Sequence, residues 1–327
     1  MSQNVSQISS QNAWPARISI IGAAGMVGSS VAAQLVTQGI GQELYLQDRR
    51  DNLVEAHRID LSDAQAVLGI ARPRVLSGPP PEPVDLVIVA ASLPETPDGD
   101  RRAFLANNAQ LLDSLAEQIH REAGDQGGGQ AGDQAVVLLL TNPVDILADW
   151  LARTHGFAPG RLIGYALNDS ARLRRAIAQE LGTEVTSVDA MVLGEHGKGQ
   201  VPIFSTVRVD GEPVEWPDGA IDRIRADVDG WFERWSQLKP GRSSGWATGA
   251  GVMHLIRSLA AGEAVVTTAS TAGLDALPET FMAVPTRLNT DPNTPHVRAE
   301  LPAVTDDELA QLQSAGESIR RSSLALD

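Results

Sequence analysis

The chain has 327 residues, of which 43% are hydrophobic and 20% charged. That is enough apolar matter for one large or two fused globular domains, and it excludes whole-chain disorder. Lys and Arg total 26 against 41 Asp and Glu, a formal charge of −15, which argues against nucleic acid or an anionic membrane as main partner. There is no Cys, so disulfides, thiolate nucleophiles and cysteine zinc sites are excluded.

Residues 1–15 read as a polar, disordered tail, and Met1–Asn12 lacks the apolar stretch of a secretory signal. No apolar run reaches the roughly 18 residues of a membrane span. A cytoplasmic location is therefore expected. Arg17–Ile21 is a short β-branched run, followed by a Gly-punctuated turn and a helical pattern over Val27–Val36. Glu43–Gln47 predicts a second strand and Asp51–Ala66 a helix. After a rigid turn at Pro79–Pro83, Val84–Ala90 and Ala135–Leu140 are continuous apolar runs, the pattern of parallel strands buried on both faces. Helices are expected over Ala103–Ala123 and Val144–Arg153, with Gly124–Gln134 as a surface insertion. Strand and helix alternate, so residues 16–150 predict an α/β, doubly wound parallel sheet.

The second half changes character and predicts an α+β domain over 151–327, the boundary lying near Ala148–Gly156. Helices are expected at Ser170–Leu181, Asp218–Leu238 and Gly249–Ala261, with Trp231 and Trp235 on one face of the second. Val185–Leu193 and Ile203–Val209 read as strands, and Glu279–Pro285 could pair with His296–Leu301. Asp306–Ser323 closes the chain as a helix, with Thr305 as N-cap and Glu308 three residues on.

Ile18–Gly28 is a strand running into G-x-x-G-x-x-G, with Gly22, Gly25 and Gly28 around Met26 and Val27. Such glycines allow a tight turn, a close backbone approach to a pyrophosphate, and close helix–strand packing. Asp48 ends the next strand, where a carboxylate accepts a ribose 2′-OH and repels a 2′-phosphate. NAD is thus favoured over NADP, although Arg49 and Arg50 soften the preference.

Further polar clusters stand where a core would not use them. His196 lies between glycines in Gly194–Gly197, and Asp169 and Arg172 are three apart on one helical face. Asn142 follows an apolar strand, and the loop Leu93–Arg102 ends in arginines. Singly, each has an ordinary structural explanation: a satisfied histidine, a capping ion pair, turn chemistry. Together they fit hydride transfer to a 2-oxo acid. That reaction needs an acid at the keto oxygen, a carboxylate to hold it, a cation to polarise C=O and a guanidinium to grip the substrate carboxylate. No histidines pair at ligand spacing, so no metal site is expected. G-x-S-x-G and Walker motifs are also lacking.

From about Ala16 onward the sequence resembles the L-lactate/malate dehydrogenase family. The segments that carry the resemblance are IIGAAGMVG, LYLQD, DLVIVAAS, RRAFLANNA, LLLTNPVD, LIGYALNDSAR, VLGEHGKGQVPIFS and SSGWATG, in family order. The resemblance implies an N-terminal Rossmann domain with NAD, a C-terminal catalytic domain, small 2-oxo or 2-hydroxy acids as substrates, and a homodimer or homotetramer. It implies His196 as proton donor and acceptor, Asp169 as its partner, Arg172 as the carboxylate clamp and Arg101 as the residue polarising the carbonyl. Asn142 would touch nicotinamide and substrate, and Asn108 would face the cofactor.

The departures bear on substrate. Malate dehydrogenases usually carry P-R-K-P-G at the loop tip, whereas here Pro94-Glu95-Thr96-Pro97 aligns Glu95 with the arginine that binds a second carboxylate. A far end that is neutral or cationic, as in an amino- or hydroxyl-bearing 2-oxo acid, is then expected; malate dehydrogenase proper is the alternative if Glu95 is outside the pocket. Ser244 stands where the family tunes the opposite wall. Lys198 and Asn168 also depart from the usual pattern. From another class, a non-catalytic NAD(H)-binding sensor or interaction protein is the rival reading.

Overall fold

A computed structural model describes residues 14–94, 101–124, 135–289 and 296–327, without the side chain of Arg101. The expectations for the N-terminal tail, for Glu95 and the loop tip, and for nearly all of the 124–134 insertion lie outside the described residues.

The first half alternates as its apolar runs dictate: β1 (Arg17–Ile21), α1 (Met26–Thr37), β2 (Glu43–Gln47), α2 (Asp51–Leu68), β3 (Arg74–Ser77), β4 (Leu86–Val89), α3 (Arg101–Ala123), β5 (Val136–Leu139), α4 (Val144–His155) and β6 (Leu162–Gly164). These strands lie parallel in the order β3-β2-β1-β4-β5-β6. Alternate residues leave the sheet on opposite faces. Ile18, Ile20, Leu86, Ile88 and Leu138 enter one core, and Ile21, Val87, Val89, Val137 and Leu139 enter the other. Burial on both faces explains the continuous apolar runs. The strand order reverses between β1 and β4, which opens a crevice at their C-terminal ends.

The second half comprises α5 (Leu167–Leu181), β7 (Val188–Asp189), β8 (Val192–Gly194), β9 (Gln200–Pro202), β10 (Arg208–Val209), β11 (Glu212–Pro213), α6 (Ala220–Asp229), α7 (Trp231–Gln237), α8 (Gly245–Ala260), β12 (Val265–Ser270), β13 (Phe281–Asn289), β14 (His296–Ala299) and α9 (Asp306–Leu324). The large sheet continues through β6 into antiparallel β12, β13, β8 and β9, while β7, β10 and β11 form a small sheet of their own. β13 pairs with β14 as expected, and Thr305 caps α9 through a reciprocal capping box with Glu308.

Several elements differ from expectation for physical reasons. Val185–Leu193 is not one strand. Val185–Ser187 forms a 3-10 turn with Val185 exposed, and the chain then splits into β7 and β8, which serve different sheets. In Ile203–Val209, Phe204–Thr206 is likewise a 3-10 turn. The long helix over 218–238 breaks at Gly230 into α6 and α7. β3, β6, β9 and β12 were not expected. β3, β6 and β9 are only three or four residues long, and in β12 the buried Thr267 and Thr268 hide the strand from an apolar pattern. Position 150, where the composition shifts, lies inside α4.

Candidate active site

At the crevice, Gly22 has φ +92°, a conformation that favours glycine, and a Cβ there would collide with the backbone of Ala90 and Ala91. A Cβ on Gly28 would run into the Gly22 carbonyl. The amides of Gly22 and Ala23 both donate to the Gln47 carbonyl, at 2.7 and 2.9 Å, which clips the turn to the end of β2. Gly25 is the N-cap of α1 and supplies no side-chain cap. The positive end of the helix, with Met26 and Val27 in its first turn, is therefore open to an anionic group. Asp48 lies just beyond β2, its side chain 9% exposed. One carboxylate oxygen accepts from the Ala24 amide at 3.3 Å, and Arg50 Nε donates to the other at 3.0 Å. Burial works to raise the Asp48 pKa, but the bonds from Arg50 and Ala24 prevail and hold it below the usual carboxylate value. A glycine cradle, an uncapped helix start and an ionised acid fit a pyrophosphate and a ribose.

The second cluster forms across the ends of β5, β6 and β8. β8 and β9 make a hairpin whose turn, Glu195–Gly199, carries His196 at its tip. The turn requires glycine at Gly194 and Gly197, where φ is +87° and +122°. Asp169 sits in the first turn of α5 and is 3% exposed. His196 Nδ1 lies 2.5 Å from Asp169 Oδ2, while Arg172 Nη1 donates to Asp169 Oδ1 at 2.7 Å. One carboxylate thus fixes both an imidazole and a guanidinium. Ser170, the next residue, accepts from the Val192 amide at 3.0 Å and ties α5 to the strand that leads to His196.

A residue not anticipated from the sequence completes the cluster. Asp145, in the first turn of α4 and 1% exposed, accepts the His196 backbone N–H at 2.5 Å on one oxygen and the Thr268 hydroxyl at 2.5 Å on the other. Burial pushes its pKa up to about 6. For His196, burial opposes the cation, but the Asp169 charge and hydrogen bond, assisted by Asp145, raise its pKa above the ordinary histidine value. Burial would raise Asp169 too, yet His196 and Arg172 hold it below the carboxylate range. The electrostatics favour an imidazolium–carboxylate pair with Nε2 left to act.

Of the other expected residues, Asn142 is exposed just after β5, beside Thr141, whose hydroxyl donates to the Ala91 carbonyl at 2.7 Å. Asn108 is fully buried. Its Oδ1 accepts from the Leu93 amide at 2.9 Å and its Nδ2 donates to the Phe104 carbonyl at 3.0 Å, so it anchors the chain after β4. Arg101 opens α3. Ser244 precedes α8, and its carbonyl accepts from the Thr248 hydroxyl at 2.7 Å. Thr248 in turn accepts from Asn168 Nδ2 at 3.1 Å, and Asn168 Oδ1 accepts from the Tyr165 hydroxyl at 2.9 Å. The unusual Asn168 therefore bridges the Asp169 helix to the Ser244 wall. Among the described residues, no group of His, Asp and Glu is placed to hold a metal, and no helix is long and apolar enough to cross a membrane.

Both halves of the chain resemble known proteins. The profile of the lactate/malate dehydrogenase NAD-binding domain matches residues 16–164, and that of the lactate/malate dehydrogenase alpha/beta C-terminal domain matches 167–322. The malate dehydrogenase of Thermomicrobium roseum is 30% identical over 311 residues, covering 93% of this chain and 96% of that protein. The L-lactate dehydrogenase of Mycoplasma capricolum is 31% identical over 201 residues; that match spans 61% of this chain and 60% of the relative's length. The solved malate dehydrogenase of Aeropyrum pernix superposes with a TM-score of 0.82 at 26% identity, covering 94% of this chain and 97% of that one. With both halves matched in order and the glycine turn and histidine hairpin in place, the chain belongs to the lactate/malate dehydrogenase family of NAD-dependent 2-hydroxy acid oxidoreductases.

Proposed function

We propose that His196, Asp169, Arg172 and Arg101 carry the interconversion of a short L-2-hydroxy acid and its 2-oxo acid. As a member of its family the chain uses NAD and acts on 2-hydroxy acids. The observation that carries the residue roles is the Asp169 carboxylate, which holds His196 on one oxygen and Arg172 on the other. In reduction, Arg172 presents its remaining N–H edge to the substrate carboxylate, and Arg101 polarises the keto oxygen. Bound NADH supplies the hydride. With Nδ1 committed to Asp169, His196 delivers its proton from Nε2 to the developing alkoxide, and Asp169 stabilises the imidazolium until that moment. Oxidation runs the proton back to a neutral His196.

The turn at Gly22, Gly25, Met26, Val27 and Gly28 would hold the pyrophosphate and Asp48 the ribose. Asn142 would face the nicotinamide, while Asn108 acts on the cofactor side through the loop it anchors. Glu95 and Ser244 are proposed to select the substrate's far end, against a second carboxylate. The supporting fact is the acidic residue at the loop tip, and oxaloacetate as best substrate by a wide margin would reverse that choice in favour of malate dehydrogenase proper. We further propose a cytoplasmic homodimer or homotetramer. α2 buries only Val54 fully and leaves Ile59 and Val67, two turns apart on one side, exposed, apolar surface that a second copy could cover.

NADH absorbance with a panel of 2-oxo acids, from pyruvate and oxaloacetate to amino- and hydroxyl-bearing homologues, tests the reading. Turnover by the wild type and a loss of about 10²–10⁴-fold in His196→Ala with NADH binding intact is the expected result. Cofactor binding without any turnover would instead favour an NAD(H) sensor.

A further inference from the structure

We propose that Trp231 is a positioning residue for substrate-carboxylate binding: it fixes the plane of the Arg172 guanidinium by stacking on it. The proposal rests on the reading of Arg172 as the carboxylate-binding group. Arg172 Cζ stands 3.6 Å from the centroid of the Trp231 ring, a face-on contact. Asp169 restrains the same guanidinium in its plane through Nη1. An ion pair at one nitrogen leaves rotation about the Nη1···O axis; the ring removes it. What remains is a flat fork with a defined edge, the geometry that a carboxylate accepts in two places. A side chain ordered before binding does not have to be ordered by the substrate.

Neighbouring segments of the same chain hold the stack in place. α7 has no buried residue, so core burial does not set its place. It is held by Asp227 of α6, which accepts from Arg175 Nη2 at 2.7 Å and from Arg234 Nη2 at 2.7 Å. Arg175 lies one turn beyond Arg172 on α5, so a single carboxylate docks α7 against the helix that carries the clamp. The break at Gly230 puts Trp231 at the first position of α7. Trp235, one turn on, stacks behind it with ring centroids 5.5 Å apart and planes 13° from parallel. Arg242 then lies 5.5 Å from the Trp235 ring and 4.2 Å from that of Trp246, at the start of α8 beyond Ser244. The ladder of Arg172, Trp231, Trp235, Arg242 and Trp246 thus links the carboxylate clamp to the wall of the site that bears Ser244.

The test is steady-state kinetics of Trp231→Phe, Trp231→Leu and Trp231→Ala with NADH and the best 2-oxo acid of the panel. A cation–π contact of this kind corresponds to an increase in KM for the 2-oxo acid of about 3- to 30-fold in Trp231→Ala and Trp231→Leu. The KM for NADH and kcat should stay within about twofold, since the ring acts through the carboxylate clamp. Trp231→Phe, which keeps an aromatic face, should recover most of the loss, whereas Trp231→Leu keeps bulk without a π-face and should not. Three results overturn the proposal: an unmoved 2-oxo acid KM in Trp231→Leu, a Phe variant no better than Leu, or parallel loss of NADH affinity and kcat in all variants. Absence of turnover in the wild type would overturn the dehydrogenase reading itself, a separate outcome from wild-type turnover with Trp231 variants unaffected.

Discussion

His196 works between two carboxylates with different tasks. Asp169 holds the ring and favours its cation, while Asp145 holds the backbone at the same residue. Because the His196 pKa is raised, the imidazolium that the proposed reduction would use persists above the ordinary histidine value. Reduction should therefore be fast at low pH and fall as pH rises through the raised pKa, and oxidation should rise through the same point. Replacing Asp145 by Asn keeps an acceptor for the His196 amide and lets the amide group donate to the Thr268 hydroxyl, but removes a charge that raises the His196 pKa. The alkaline limb of kcat/KM for reduction should then move to lower pH in Asp145→Asn. An unmoved limb would show that Asp145 has no electrostatic hold on the ring. The histidine, its acid partner and the arginine three residues on were legible in the sequence because they stand in polar, glycine-marked strings. Asp145 was not. Its partners are 51 and 123 residues away, and only the sheet brings them together.

At the scale of elements, two glycines of α8 bring it close against α1. A Cβ on Gly245 would meet Met26, and one on Gly249 would meet Ser30, its hydroxyl first and its backbone next. The side chains and backbone of Met26 and Ser30 pack directly onto these glycines, which pins the start of α1 that faces the cofactor crevice. Gly249→Val should overpack this seam and cost about 1–3 kcal/mol of stability. Lowered Tm together with weakened NADH binding is the expected readout, and an unchanged Tm would mean that the helices part without penalty. The parallel strands β1, β2, β4 and β5 and the helices α1 to α4 were readable because strands buried on both faces give apolar runs and the helices between them keep their period. β12 was hidden by Thr267, whose hydroxyl donates to that of Thr286 at 2.9 Å, and by Thr268, which serves Asp145. Hydroxyls satisfied by partners far along the chain look like surface in a one-dimensional pattern. The division of the 218–238 segment at Gly230 was equally invisible, although Trp231 and Trp235 do share a face as their spacing required.

Over the whole molecule, Asp145 also costs stability. Its pKa is raised from 3.8 to about 6 in the fold. Its favourable contribution is full below the unfolded value and is lost as pH rises through the folded one, on the order of 3 kcal/mol by neutral pH. Asp169 has the opposite sign, since its depressed pKa gives stability above the ordinary carboxylate value that is lost as pH falls. Asp145→Asn should therefore raise Tm more at about pH 8 than at about pH 4.5; equal shifts at both would mean the carboxylate is not strained by burial. The same residue belongs to the first lobe, through α4, while both of its partners belong to the second. Nearby, β6 of the first lobe pairs with β12 of the second at Gly164 and Thr268. The histidine, the sheet seam and the buried acid meet at one joint. Swinging the lobes apart would break the bonds from Asp145 to the His196 amide and the Thr268 hydroxyl and leave the histidine unaimed. Entry of reactants by local yielding at the rim would leave that joint intact, and a chain severed between the halves would have to rebuild it before regaining turnover.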